Sequence, residues 1–157
     1  MKVSEIMRQP VVVIHKDASL QEAALMMLQN DLRGIPVVDD GGNICGFISV
    51  SDYLAKDKCL PFSRFRAAQL FGKWVPTEGI EQIYEEARTI SVKQIMSTPV
   101  FTVPEDATVE HVIDLMIHHR LSRIPVVRDQ KPVGIVARYD LLKMMARKSE
   151  EQSATNV

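Results

Sequence analysis

Apolar residues in this chain fall into two kinds of block, and each kind occurs twice. The first kind is short and β-branched. Ile35 to Val38 and Ile44 to Ile48 are such blocks, separated by the turn cluster Asp39-Asp40-Gly41-Gly42-Asn43, and they predict two strands that double back at the cluster. The second kind is spaced for a helix. Leu20, Ala23, Ala24, Met27 and Leu28 share one face, and Ser19 with Glu22 forms a capping-box pattern at its start. Ser49-Val50-Ser51-Asp52 opens a further helix by the same hydroxyl-to-acid spacing. Ahead of these, Val3 to Met7 reads as a short apolar turn that Pro10 breaks, with a strand after it.

The whole series then recurs. Val92 to Val103 echoes Val3 to Ile14, with Ile95-Met96 for Ile6-Met7 and Pro99 for Pro10. Thr108 precedes Val109, Val112, Ile113, Met116 and Ile117 as Ser19 precedes its helix, but His111 replaces the acid, so only half the capping box is present. Ile124-Pro125-Val126-Val127 repeats Ile35-Pro36-Val37-Val38 at a distance of 89 positions. After a turn one residue shorter, Gly134 to Asp140 repeats Gly46 to Asp52. Each copy occupies about 55 residues, too few to be more than marginal alone, so the copies are expected to pack on each other about a pseudo-twofold axis. The expected organisation is repeat 1 at 1–55, an insertion at 56–90 with a short helix, repeat 2 at 91–147, and a disordered polar tail at 148–157.

Composition narrows the class. With 46% hydrophobic and 25% charged residues, the 157-residue chain is expected to fold and bury roughly 70% of its unfolded surface. A net charge of -1 argues against a general nucleic-acid binder. Cys45 and Cys59 form no Cys-x-x-Cys pair and read as a buried thiol and a stray one. Charged residues and Pro10 interrupt the N-terminus before an apolar run develops, and no run approaches the ~18 residues of a membrane span. The expected location is the cytoplasm.

Two clusters draw attention without deciding a function. Phe62, Arg64, Phe65, Arg66, Phe71, Lys73 and Trp74 interleave aromatic and basic side chains, followed by helical spacing from Glu81 to Arg88. This insertion reads as a cover over the core or an oligomer contact. A gate over a ligand cleft and a single-stranded nucleic-acid contact are the alternatives. His111, Asp114 and His118 share one helix face, with His119 adjacent. A metal-dependent enzyme could use such a face, but it lies opposite the apolar stripe and reads as solvated surface. No Ser-His-Asp order or phosphate-binding glycine loop is present.

The strongest chemical candidates are Ser49 with Asp52, and Asp140. Each acid falls in the first turn after a strand. A carboxylate there can accept two hydrogen bonds from a vicinal diol such as that of ribose. It can also simply cap the helix, where the dipole favours an acid by about 0.3–1 kcal/mol. Residue chemistry leaves both open, and Ala137 cannot cap with its side chain.

The order, spacing and duplication of Ile-Met, Ile-Pro-Val-Val and the Gly-to-Asp segments resemble a tandem pair of CBS domains, the Bateman module. That resemblance covers nearly all of the chain except 56–90 and the tail. It implies an α+β fold of two pseudo-twofold-related β-α-β-β-α repeats packed sheet to sheet. It also implies a regulatory rather than catalytic role, with an adenosyl ligand such as AMP, ADP, ATP, NAD or S-adenosylmethionine in clefts between the repeats. Gly46 to Asp52 matches the family's ribose motif whole, while Gly134 to Asp140 keeps the acid and loses the hydroxyl at Ala137, where Arg138 or Tyr139 could compensate. The resemblance assigns phosphate contacts to Arg33 and Arg123, Asp52 working with Arg123 and Asp140 with Arg33, and adenine contacts to Val12 and Phe101. It further implies a homodimer acting on a separate protein partner, with no metal. A module that only dimerises or tethers is the alternative.

Overall fold

The computed structural model describes residues 1–54, 85 and 87–154. The aromatic and basic cluster at Phe62 to Trp74, Cys59 and most of the helix expected at Glu81 to Arg88 lie outside the described residues. Two compact units emerge, one of residues 12–100 and one of residues 1–11 with 101–157. Each unit therefore takes its opening turn from the other copy of the repeat in sequence.

In the unit of residues 12–100, β1 (Ile14–His15) runs parallel to β2 (Gly34–Val38), which pairs antiparallel with β3 (Ile44–Ser49). Helix α1 (Leu20–Gln29) joins β1 to β2. Ser19 accepts the Glu22 N–H at 3.1 Å while Glu22 accepts the Ser19 N–H at 2.7 Å, the reciprocal box expected from their spacing. The tight return is held by Asp39, whose Oδ1 accepts the N–H groups of Gly41 (2.9 Å) and Asn43 (3.0 Å), while Gly42 takes a φ of 78°.

The other unit repeats this with β4 (Val103–Pro104), β5 (Arg123–Arg128), β6 (Lys131–Ala137) and helices α2 (Val109–His118) and α3 (Arg138–Ala154). Thr108 caps α2 through the His111 N–H at 3.3 Å. Its hairpin turns on Asp129 and Gln130, at φ 50° and 64°, in place of the longer glycine turn. Both hairpins carry an irregularity at the same place, Val37/Val38 and Val126/Val127.

The strands expected after Pro10 and Pro99 shrink to two residues each, and where a helix is expected from Ser49 the described residues form a 3-10 turn, Val50–Leu54. The polar stretch from Ser149, read from composition as disordered, instead continues α3 as far as Ala154. Its Glu, Gln and Ala residues are good helix formers and extend a helix already nucleated by packing.

Each unit has its own core. Leu20, Ala23, Met27, Ile35, Val37, Ile48 and Val92 are buried together in one, and Val3, Val103, Val112, Met116, Ile124, Val126 and Val136 in the other. A fully buried Ile or Leu here contributes about 1.5–3 kcal/mol. The opening turns are part of these cores: Val3 and Val92 are each fully buried.

Candidate functional site

Two equivalent edge contacts build the two sites. After the 3-10 turn Val3–Glu5, Arg8 pairs with Ile135 of β6, N–H to carbonyl at 2.9 Å and the reverse at 3.2 Å. After the 3-10 turn Val92–Gln94, Ser97 pairs with Phe47 of β3 in the same way, at 2.8 and 3.2 Å. Met7 and Met96, one residue before, seat their thioethers on Gly134 and Gly46, where a Cβ would overlap the sulfur. The recurrent Ile-Met and the recurrent Gly are thus two halves of one contact, which delivers Arg8 and Ser97 to the start of the segment carrying the acid.

Asp52 is 7% exposed and Asp140 6%. Asp52 Oδ2 accepts the Ser49 backbone N–H at 2.7 Å and the Ser49 hydroxyl at 3.0 Å, and its Oδ1 accepts the Ser97 hydroxyl at 3.3 Å. Asp140 Oδ2 accepts the Ala137 N–H at 2.8 Å, and its Oδ1 takes the Arg8 Nε–H at 2.7 Å. Each acid therefore bonds the N–H three residues before it, whether or not a hydroxyl stands there. The backbone N–H of Val50 and of Arg138 bonds the carbonyl of Arg33 and of Ser122, each at 3.1 Å, so the next N–H of each first turn is satisfied by backbone.

Next to Asp52, Tyr53 donates its hydroxyl to the Leu20 carbonyl at 2.7 Å. Burial, then the Asp52 carboxylate, pushes its phenol up to about 12. The folded state holds this proton more tightly than the unfolded chain does, so stability falls as pH rises from about 10 towards 12. Urea midpoints measured across that interval are expected to drop, and Tyr53→Phe to remove that part of the drop. An unchanged slope in the variant would assign the loss to other groups.

Asp140 opens on a cavity of about 560 Å³ lined by Met1, Glu5, Ile6, Met7, Arg8, Lys143, Met144 and Arg147. Asp140, Lys143, Met144 and Arg147 share one face of α3 by their spacing. Of the other residues read from sequence, Arg33 is exposed, and Arg123 is half-buried at the start of β5. Val12 is half-buried against the core of its unit. Phe101 stacks on His119 with ring centroids 4.0 Å apart. Arg138 donates to the Leu121 carbonyl at 2.9 Å, and the exposed Tyr139 ring lies 5.1 Å from the Lys143 ammonium.

His111, Asp114 and His118 are all exposed, and His118 Nδ1 lies 2.8 Å from the Asp114 carbonyl oxygen rather than beside its carboxylate. Among the described residues, the groups close enough to share a cation are His15, Asp17 and Asp40, all exposed. Asp17 and Asp40 approach opposite nitrogens of the same ring, at 3.7 and 2.9 Å. Among the described residues no helix is long and apolar enough to cross a membrane.

Sequence reading missed Arg8 and Ser97. Their signal was their common place, one residue after the recurrent Ile-Met. It also missed Lys143, Met144 and Arg147, which helical spacing from Asp140 could have supplied.

The family model for the CBS domain matches residues 3–57 and 92–147. An uncharacterised protein of Methanocaldococcus jannaschii is 32% identical over 145 residues, which make up 92% of this chain and 32% of that protein. The first three curated relatives are matched over only 22% to 32% of their own length. Among solved structures, the CBS domain of a CBS domain-containing membrane protein from Sphaerobacter thermophilus has a TM-score of 0.76 at 35% identity, covering 91% of this chain and 86% of that one. A CBS domain pair in complex with 5′-methylthioadenosine and S-adenosylmethionine has a TM-score of 0.68 at 24% identity, covering 94% of this chain and 98% of that one. This second likeness is one of fold.

Proposed function

Since the chain belongs to the CBS-domain family, we propose that it is a regulatory module that binds an adenosyl ligand at Asp52 and Asp140. The observation that carries this reading is the duplicated buried carboxylate, pinned by the N–H three residues earlier and flanked by a polar side chain from the neighbouring edge segment. A carboxylate fixed in this way is pre-organised to accept the 2′ and 3′ hydroxyls of a ribose, and the fixed orientation lowers the entropy cost of binding. The solved relative that holds 5′-methylthioadenosine and S-adenosylmethionine supports the ligand class. Ser49 steadies Asp52. Arg33 and Arg123 serve an anionic portion of the ligand, and Val12 and Phe101 serve the base. The regulated partner is a separate protein, and the module acts as a homodimer.

Melting the protein with AMP, ADP, ATP, NAD and S-adenosylmethionine tests this. A ligand at a hundred times its Kd adds about 2.7 kcal/mol. For a chain of this size that raises Tm by about 5–10 °C. A flat response to all five would favour a tethering module, in which the carboxylates only close helix starts. The hydrogen bonds each acid makes within the chain are what such a module would need.

A further inference from the structure

The two sites differ at one decisive position. Ser97 places a neutral hydroxyl on Asp52, whereas Arg8, its counterpart, places a guanidinium on Asp140 at 2.7 Å. The cavity beside Asp140 also faces Lys143 and Arg147, and its acids are both engaged: Glu5 accepts the Lys2 N–H at 2.7 Å, and Asp140 is held by Arg8 and Ala137. No described residue forms an ion pair with Lys143 or Arg147. The space therefore holds three cations, Arg8, Lys143 and Arg147, against two carboxylates that already accept hydrogen bonds.

An uncharged nucleoside gains little here. Its diol must share Asp140 with a charge-assisted partner and offers the guanidinium nothing in exchange. A ligand that carries phosphate offers Arg8 a second, forked acceptor within the same cavity. Arg8 is half-exposed, so its side chain has room to move from one to the other.

We propose that Arg8 makes the Asp140 site selective for phosphate-bearing adenosine nucleotides over uncharged nucleosides. This rests on the ligand class proposed above and narrows it at the Asp140 site.

Calorimetry on the full chain with Asp52→Asn, which weakens the first site, is the test. Adenosine is expected to bind at least tenfold more weakly than AMP or ATP. Adding Arg8→Ser is expected to narrow that ratio at least tenfold, and Arg8→Lys to keep most of it. Equal affinity for adenosine and AMP in Asp52→Asn, or a ratio that Arg8→Ser leaves unchanged, overturns the proposal with the adenosyl reading intact. Pyrophosphate competing as well as ATP would also overturn it, by showing a site for free anions. Wild-type protein that binds none of these ligands overturns the adenosyl reading itself, and the selectivity with it.

Discussion

Asp52→Asn is expected to weaken adenosyl-ligand binding at its site by about 30–100-fold, or roughly 2–3 kcal/mol, with little change in melting temperature. The carboxylate can offer a ribose diol two charge-assisted acceptors, each worth about 1.5–3 kcal/mol. An asparagine keeps one neutral oxygen and turns the other acceptor into a donor. The fold loses less. The amide oxygen can still take the Ser49 N–H and hydroxyl, now bonded at 2.7 and 3.0 Å, and the Ser97 hydroxyl can rotate to accept from the new NH₂. Affinity and stability are thereby separated, which Asp52→Ala would not achieve, since it strands the Ser49 donors beside a buried gap. Titration calorimetry alongside thermal melting reads both. A parallel fall in Tm with unchanged affinity would assign Asp52 to helix capping alone.

The hairpins were legible in the sequence because their signals are local. Ile35 to Val38 and Ile44 to Ile48 are β-branched blocks around a turn cluster, and they form strands within a residue of where they were read. The Ser19–Glu22 box needed only three residues of separation and formed in full. The buried acids were legible as well, through their fixed distance from a repeated glycine. What surrounds them was not. Arg8 and Asp140 are 132 positions apart, and the pairing of Arg8 with Ile135 brings them together. No periodicity within either segment carries that pairing. Duplication obscured it further, because the opening turn of one copy serves the compact unit built mainly from the other. The polar end of α3 failed for a different reason: composition records the lack of apolar partners, whereas helix continuation there needs only good formers behind an established turn.

Gly134→Val should cost about 1–3 kcal/mol of stability and lower Tm by about 2–12 °C, although valine suits a strand better than glycine does. The obstacle is space. A Cβ at Gly134 overlaps the Met7 sulfur and comes to 3.3 Å from the Arg8 carbonyl oxygen, which is backbone and itself bonded to Ile135. The thioether can rotate away, being among the most adaptable of side chains. The carbonyl can retreat only by loosening the Arg8–Ile135 pairing. Gly46→Val meets only Met96 side-chain atoms among its nearest neighbours and is expected to be the milder of the two. Denaturant midpoints for Gly134→Val, Met7→Ala and the double variant form a cycle. If the crowding is as described, truncating Met7 recovers part of the loss, with a coupling of about 0.5–3 kcal/mol. Strict additivity would mean that Met7 does not seat on Gly134. The site should respond too. Displacing the Arg8 backbone moves the guanidinium from Asp140, so Gly134→Val is expected to shift the nucleotide preference of that site in the same direction as Arg8→Ser, from a position that carries no charge.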